Sequence, residues 1–240
     1  MVRALVFDVF GTLVDWRSTI AQAFHGSGLV DDPEELAVAW RERLWPITAE
    51  VNAGERPWGN LDELHLATLD GLLAERQLEQ PIEARRQIVA AWHELDPWPD
   101  VRDGLEALRR THVVAALSNG HVALLIDLAR HGDLRFDCLI SAEMAKRYKP
   151  APEVYLTAVR LLGMQPDEVM LVAAHPFDLA GARGAGLQTA FVDRPLEYGL
   201  GSRGREDPDA DESVADLHEL AGRLAEREPQ DHGAGRGAQG

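Results

Sequence analysis

The chain has 240 residues, 45% of them hydrophobic, and carries 24 Lys and Arg against 40 Asp and Glu for a formal net charge of −16. That length allows one large domain, or a core with a smaller insert. The acidic balance argues against nucleic acid and anionic membranes as partners, since both call for a basic face. The single Cys138 leaves no intramolecular disulfide and fits a reducing compartment. The sequence enters a strand at once, with no signal-like segment, and no apolar run nears the roughly 20 residues of a bilayer span. A cytoplasmic location is the expectation.

In chain order, the first element is Ala4-Leu5-Val6-Phe7, an unbroken apolar run leading into Asp8, Gly11 and Thr12. Such a run reads as a strand buried on both faces, as in a parallel sheet. From residue 16 to 96 there is no convincing strand. Helical patterns cover Ile20 and Phe24, then a segment opened by Asp32-Pro33-Glu34 and carrying Leu36, Trp40, Arg41, Arg43 and Leu44, then Leu61 to Arg76, then Ile82 to Leu95. Acidic residues and an early proline mark the second of these starts. The segment predicts an all-helical insert of two antiparallel pairs. Pro97 and Pro99 mark its end. Beyond them strands and helices alternate: strands at 113–117, 136–140, 169–173 and 189–192, with helices over 121–131, 152–162, a short one ending at Gly184, and one over 214–227. Repeated strand–helix units imply a parallel, Rossmann-like α/β sheet with right-handed crossovers. Residues 201–213 read as a polar loop, and 228–240 as a disordered tail. The partition expected is a discontinuous core of 1–15 and 97–227 with a helical cap of 16–96.

Several strands end in polar residues: Asp8 and Thr12, Ser118 and Asn119, His175 and Asp178, with Lys149 after the third strand. Ligand sites in open α/β sheets lie beyond the carboxyl ends of the strands, so these residues would meet on one rim. Asp8 alone could merely cap a turn; in company it is a candidate nucleophile.

Four stretches, in order, carry a resemblance to the haloacid dehalogenase superfamily, and within it to the L-2-haloacid dehalogenases. They are Asp8-Val9-Phe10-Gly11-Thr12, Leu117-Ser118-Asn119-Gly120, Lys149-Pro150-Ala151-Pro152-Glu153-Val154-Tyr155, and Asp178 with Gly181-Ala182-Arg183 and Gly186-Leu187. The helical insert lies where that family has a small cap. The resemblance implies hydrolysis of short 2-haloacids through an aspartyl ester, and a homodimer, although no interface is legible in one chain.

The superfamily also contains phosphatases. Those place a second aspartate two residues after the nucleophile, to protonate an alkoxide leaving group. Phe10 stands there and has no proton to give; a halide needs none. Ala174 stands where a second metal-binding carboxylate would be expected, and Mg²⁺ prefers an oxygen-rich shell. A metal-free, cofactor-free dehalogenase is therefore expected, with a phosphatase acting on a small phosphate monoester as the alternative. The resemblance gives Asp8 as nucleophile, Lys149 as the charge that keeps it ionised and stabilises the oxyanion, and Thr12 and Ser118 as hydrogen-bonding residues that orient the carboxylate and bind substrate. Asn119 would cradle the halide, Arg41 would hold the substrate carboxylate with Arg43 as its competitor, and Tyr155 falls at the family's tyrosine position or is only packing. Trp45 and Trp58 are candidates for an apolar wall. Where family members have a serine and an asparagine, this chain has Ala173 and His175. His175, with Asp178 nearby, is expected to position or deprotonate the hydrolytic water.

Overall fold

A computed structural model describes residues 1–28, 32–199 and 206–227. In chain order the elements are β1 (Ala4–Phe7), β2 (Val14–Asp15), α1 (Trp16–Gly26), α2 (Pro33–Glu42), α3 (Leu44–Ala53), α4 (Leu61–Glu75), α5 (Ile82–Ala90), β3 (Asp96–Pro97), α6 (Val101–Leu108), β4 (Val113–Ser118), α7 (Val122–His131), β5 (Cys138–Ser141), α8 (Pro152–Leu162), β6 (Val169–Ala173), α9 (Pro176–Gly184), β7 (Gln188–Val192), β8 (Glu212–Val214) and α10 (Leu217–Arg227).

Six strands form one sheet in the order β5-β4-β1-β6-β7-β8, every neighbouring pair parallel. This is the Rossmann-like α/β core expected from the strand–helix alternation. β1 lies between β4 and β6, with Phe7 opposite both Ala116 and Val172. Its four residues are fully buried because helices cover both faces of a parallel sheet. The chain order reverses on either side of β1, which puts the switch point directly above Asp8.

Helices α1–α5 and the turn that follows them bury Trp16, Phe24, Leu36, Trp40, Leu69, Leu72 and Trp92. Their starts follow the sequence signals. Asp32 accepts a hydrogen bond from the Glu35 N–H with Pro33 in the first turn of α2, and Asn60 and Glu63 form a reciprocal capping box at α4. The chain leaves the sheet side through β2 and returns through β3, paired antiparallel as Val14 with Pro97 and Asp15 with Asp96.

Three details differ from the sequence reading. The second helical pattern is two helices, since the chain bends at Arg43 between α2 and α3. The run expected to reach Leu95 ends at Ala90 and continues as a single 3-10 turn over Ala91–His93 that turns Trp92 inward. The described part of the loop expected at 201–213 contributes to β8, whose Glu212 is buried against Arg223 of α10 at 3.2 Å. The tail expected at 228–240 lies outside the described residues. No helix among those described is long and apolar enough to cross a membrane.

Candidate active site

Beyond the end of β1, Asp8 opens into a cavity of about 30 Å³. The sheet side contributes Asp8, Phe10, Asn119, Lys149, His175, Phe177 and Asp178, and the helical side contributes Arg41, Leu44, Trp45, Thr48 and Leu61.

Asp8 is almost fully enclosed, and both of its oxygens are engaged. Oδ2 accepts hydrogen bonds from Thr12 Oγ1 at 2.8 Å and from His175 Nδ1 at 3.0 Å, while Oδ1 accepts one from Lys149 Nζ at 3.3 Å. Thr12 is fixed in turn, because its hydroxyl accepts the Ala174 N–H at 3.0 Å. Burial alone would raise the Asp8 carboxyl. The Lys149 charge, His175 and the Thr12 hydroxyl outweigh it and hold Asp8 well below the usual carboxylate range. Asp8 is thus an ionised carboxylate, enclosed with Lys149, His175 and Asp178 on one side of the cavity and facing Arg41 and the apolar side chains of Phe10, Leu44, Trp45, Leu61 and Phe177.

Lys149 also donates to Asp178 Oδ2 at 2.8 Å, so its ammonium stands between two carboxylates. Burial would lower it, but those two charges win and raise it. Asp178 Oδ1 accepts the Tyr155 hydroxyl at 2.6 Å. Burial pushes the Asp178 carboxyl up, and the Asp8 charge adds to that against the pull of Lys149.

The sequence leads to the expectation that His175 positions or deprotonates the hydrolytic water with Asp178 nearby, and the structure gives it other partners. Its Nδ1 faces Asp8, and its Nε2 donates to Glu197 Oε1 at 3.0 Å; the carboxylate behind it is therefore Glu197, whereas Asp178 pairs with Lys149 and Tyr155. Burial would lower this imidazole, but the Glu197 charge, the two hydrogen bonds and the Asp8 charge raise it to about 9. At neutral pH His175 is an imidazolium with both N–H groups committed to carboxylates. Glu197 follows β7, is buried, and also accepts the Trp16 indole N–H at 3.0 Å. Gly11 makes this approach possible. Its φ is +84°, and a Cβ there would come within 2.2 Å of Glu197 Oε1.

Arg41 lines the opposite wall. Its guanidinium carbon lies 5.5 Å from the Phe10 ring, 5.6 Å from both Trp16 and Trp92, and 6.0 Å from Trp45. No carboxylate among the described residues pairs with it, and its Nε is buried without a partner. Arg43, the competitor, instead pairs with Glu75 on the surface.

The remaining expected residues divide. Asn119 lines the cavity; its Oδ1 accepts the Lys149 backbone N–H at 2.8 Å, which leaves the amide nitrogen as the end available to a ligand. Ser118 does not reach Asp8: its hydroxyl accepts the Gly120 N–H and holds the turn after β4. Tyr155 lies beneath Asp178, outside the cavity lining. Trp58 is not brought to the cavity either, because its ring stacks on Tyr148 with the Lys146 ammonium 3.9 Å from its centre. Trp45 does line it, edge-on to Phe177. Glu197, Trp16 and Trp92 had no signal in the sequence as site residues.

Residues 2–186 match the model of a hydrolase family described as haloacid dehalogenase-like. The (S)-2-haloacid dehalogenase 1 of Pseudomonas sp. (strain CBS-3) is 32% identical over 203 residues, which span 82% of this chain and 88% of that protein. A crystal structure of an L-2-haloacid dehalogenase, 44% identical, superposes with a TM-score of 0.88 over 94% of this chain and all of the other. The L-2-haloacid dehalogenase of Xanthobacter autotrophicus, solved with chloropropionic acid covalently bound, is 25% identical with a TM-score of 0.82, over 95% of this chain and 100% of that one.

Proposed function

Because the chain belongs to the haloacid dehalogenase-like hydrolases, we propose that it hydrolyses the carbon–halide bond of short-chain 2-haloacids, haloacetates and 2-halopropionates, to 2-hydroxy acids through an ester on Asp8 and without a metal. The observation that carries this reading is the pair facing one cavity: an ionised carboxylate, Asp8, and a guanidinium, Arg41, that has no carboxylate of its own among the described residues. A 2-haloacid offers a partner to each, an electrophilic carbon and a carboxylate.

In the first half-reaction Asp8 Oδ1, which accepts only the long hydrogen bond from Lys149, attacks the carbon bearing the halogen. The halide leaves toward the Asn119 amide and the aromatic box around Arg41. In the second, Oδ2 becomes the ester carbonyl oxygen. Thr12 Oγ1–H and His175 Nδ1–H already point at it and stabilise the oxyanion formed as water adds. Asp178, a carboxylate made more basic by burial and lining the same cavity, takes the proton of that water and returns it to the alkoxide oxygen of the hydroxy acid as the intermediate collapses and the ester C–O bond breaks. His175 thus acts as a charged donor, and Tyr155 holds Asp178 in place.

Phosphate monoester hydrolysis, the alternative, would need a proton donor where Phe10 lines the cavity. It would also need a cation site between Asp8 and Asp178, a space taken by the Lys149 ammonium. In the same reading α1–α5 form a cap closing over a core of 1–15 and 97–227, and the enzyme works in the cytoplasm as a homodimer.

The test is halide release from chloro-, bromo- and fluoroacetate and both 2-chloropropionate enantiomers without added metal, with single-turnover hydrolysis in heavy-oxygen water. Label should enter Asp8 before it appears in the hydroxy acid. Phosphatase activity dependent on Mg²⁺, or label passing from water straight to product, would overturn the assignment.

A further inference from the structure

Away from the cavity, three potential ligand side chains meet where the helical layer contacts the sheet side. Asp62 is in the first turn of α4, His93 ends the turn after α5, and His121 follows β4. One ligand atom from each lies within 4.8 Å of the others. Asp62 Oδ2 is 3.2 Å from His93 Nε2 and 3.6 Å from His121 Nε2. An ion bound at Zn–N and Zn–O distances near 2.1 Å with tetrahedral angles sets its ligands about 3.4 Å apart. The two measured edges bracket that value. The second sphere is also built. His93 Nδ1 faces Asp127 Oδ2 at 2.7 Å, and a carboxylate there orients the ring so that an ion taking the place of the proton Nε2 now shares with Asp62 would find Nε2 as its ligand. His121 is buried, its Nδ1 has no partner, and its Nε2 makes no hydrogen bond within range, so this imidazole is not consumed by the fold. The approach from solvent to Asp62 and His93 is an open hollow lined by the carboxylates of Glu63, Glu94, Asp62 and Asp127 against the single cation of Arg86, a wall that on balance draws cations.

We propose that Asp62, His93 and His121 bind one divalent transition-metal ion of the zinc class, with water completing its shell, and that the ion ties the helical layer to the sheet side. Two imidazoles with one carboxylate favour zinc, cobalt or nickel over magnesium. The ion would be structural. Its ligands neighbour the reaction cavity in sequence, since Leu61 precedes Asp62, Trp92 precedes His93, and Asn119 lies two residues before His121. Occupancy therefore restrains the helical side of the cavity against the loop after β4.

The test uses the full chain without a histidine tag, stripped with chelator and titrated with ZnCl₂ in a calorimeter. Cobalt is added in a parallel experiment for its visible absorption. The expected result is one ion per chain, a tetrahedral cobalt spectrum, and a higher unfolding temperature with zinc. His93→Gln and His121→Gln should each weaken binding by at least about tenfold, and Asp127→Asn, acting through His93, by about tenfold. If His121→Gln fails to fold, His93→Gln and Asp62→Asn carry the same comparison. Absence of saturable one-to-one binding would overturn the proposal. So would zinc binding that survives both histidine substitutions, as it would if the ion were held at His175.

Discussion

Replacing Glu197 with glutamine removes a charge while keeping a hydrogen-bond acceptor beside His175. The rise of this imidazole from 6.5 to about 9 corresponds to about 3 kcal/mol in favour of the imidazolium. Against the cost of burial, the Glu197 charge is the largest of the effects that sustain it, ahead of the contributions from Asp8. If Glu197 supplies at least half of the net, Glu197→Gln lowers the midpoint to about 8 or below. The sign is set by the role. As a donor to the ester oxygen in the hydrolytic half-reaction, His175 must be protonated, so kcat holds on the acid side and falls as pH rises through about 9 in the native enzyme. In Glu197→Gln that fall moves down by about 1 pH unit or more. Folding stability follows the same direction. The contribution is fully present below 6.5 and is lost as pH rises through about 9. The assay is chloride release from chloroacetate across pH, with quenched single turnovers that weigh the Asp8 ester by mass spectrometry. Above the midpoint the ester should accumulate. An unmoved alkaline limb, or a rate that climbs with pH through this range as a neutral base would require, would refute the assignment of His175 as a charged donor.

Lys149→Met should cut kcat by about 10³-fold, since it removes the charge that keeps Asp8 ionised and holds the attacking Oδ1. It also leaves Asp8 and Asp178 buried without their shared cation, and thermal unfolding should register a loss of about 3–5 kcal/mol. Arg41→Lys keeps the positive charge but loses the planar group seated among Phe10, Trp16, Trp45 and Trp92. KM for chloroacetate should rise about tenfold, a change of about 1.4 kcal/mol, with a smaller effect on kcat. Thr12→Val removes one of the two donors to Asp8 Oδ2 and orphans the Ala174 N–H. Single-turnover ester hydrolysis should slow about 10²-fold while substrate binding is unchanged.

The parallel core was legible because its strands are written as unbroken apolar runs: Ala4 to Phe7, Val113 to Leu117 and Val169 to Ala173 are buried along their whole length or nearly so. Asp8, Thr12, Asn119, Lys149, His175 and Asp178 were legible for the related reason that polar residues at the ends of such strands share a rim. Local pattern failed where the partner is distant. β8 has three residues, one of them a glutamate, and its burial depends on an arginine in α10. Glu197 follows β7 in a segment without a motif, and becomes a site residue only because Gly11 lets it approach from the far end of the chain. Ser118 and Trp58 failed for the opposite reason. Each found a local partner, Gly120 and Tyr148, that sequence spacing does not advertise. Trp16 and Trp92 are core residues that also serve as walls for Arg41, a double use that no local pattern marks.

An acidic protein that takes an anionic substrate must solve a local problem, and the charges around the cavity indicate how. Arg41, Lys149 and the His175 imidazolium stand against Asp8, Asp178 and Glu197, three cations to three carboxylates. The resting site is balanced despite a chain charge of −16. A haloacid carboxylate unbalances it by one negative charge, which Arg41, lacking a carboxylate of its own among the described residues, is placed to receive. In the proposed reaction, attack then removes the Asp8 charge by converting it to an ester and transfers that charge to the halide. Expulsion of the halide restores the balance, with the substrate carboxylate now in place of Asp8. The surplus charge created by binding leaves on the halide, so the low-dielectric surroundings that resist an unpaired anion also favour its departure. The neutral amide of the same haloacid would bring no surplus to expel and would leave the Arg41 charge unanswered. Its turnover should therefore fall well below that of the corresponding acid, and comparable rates for chloroacetate and chloroacetamide would remove charge balance from the account of the reaction.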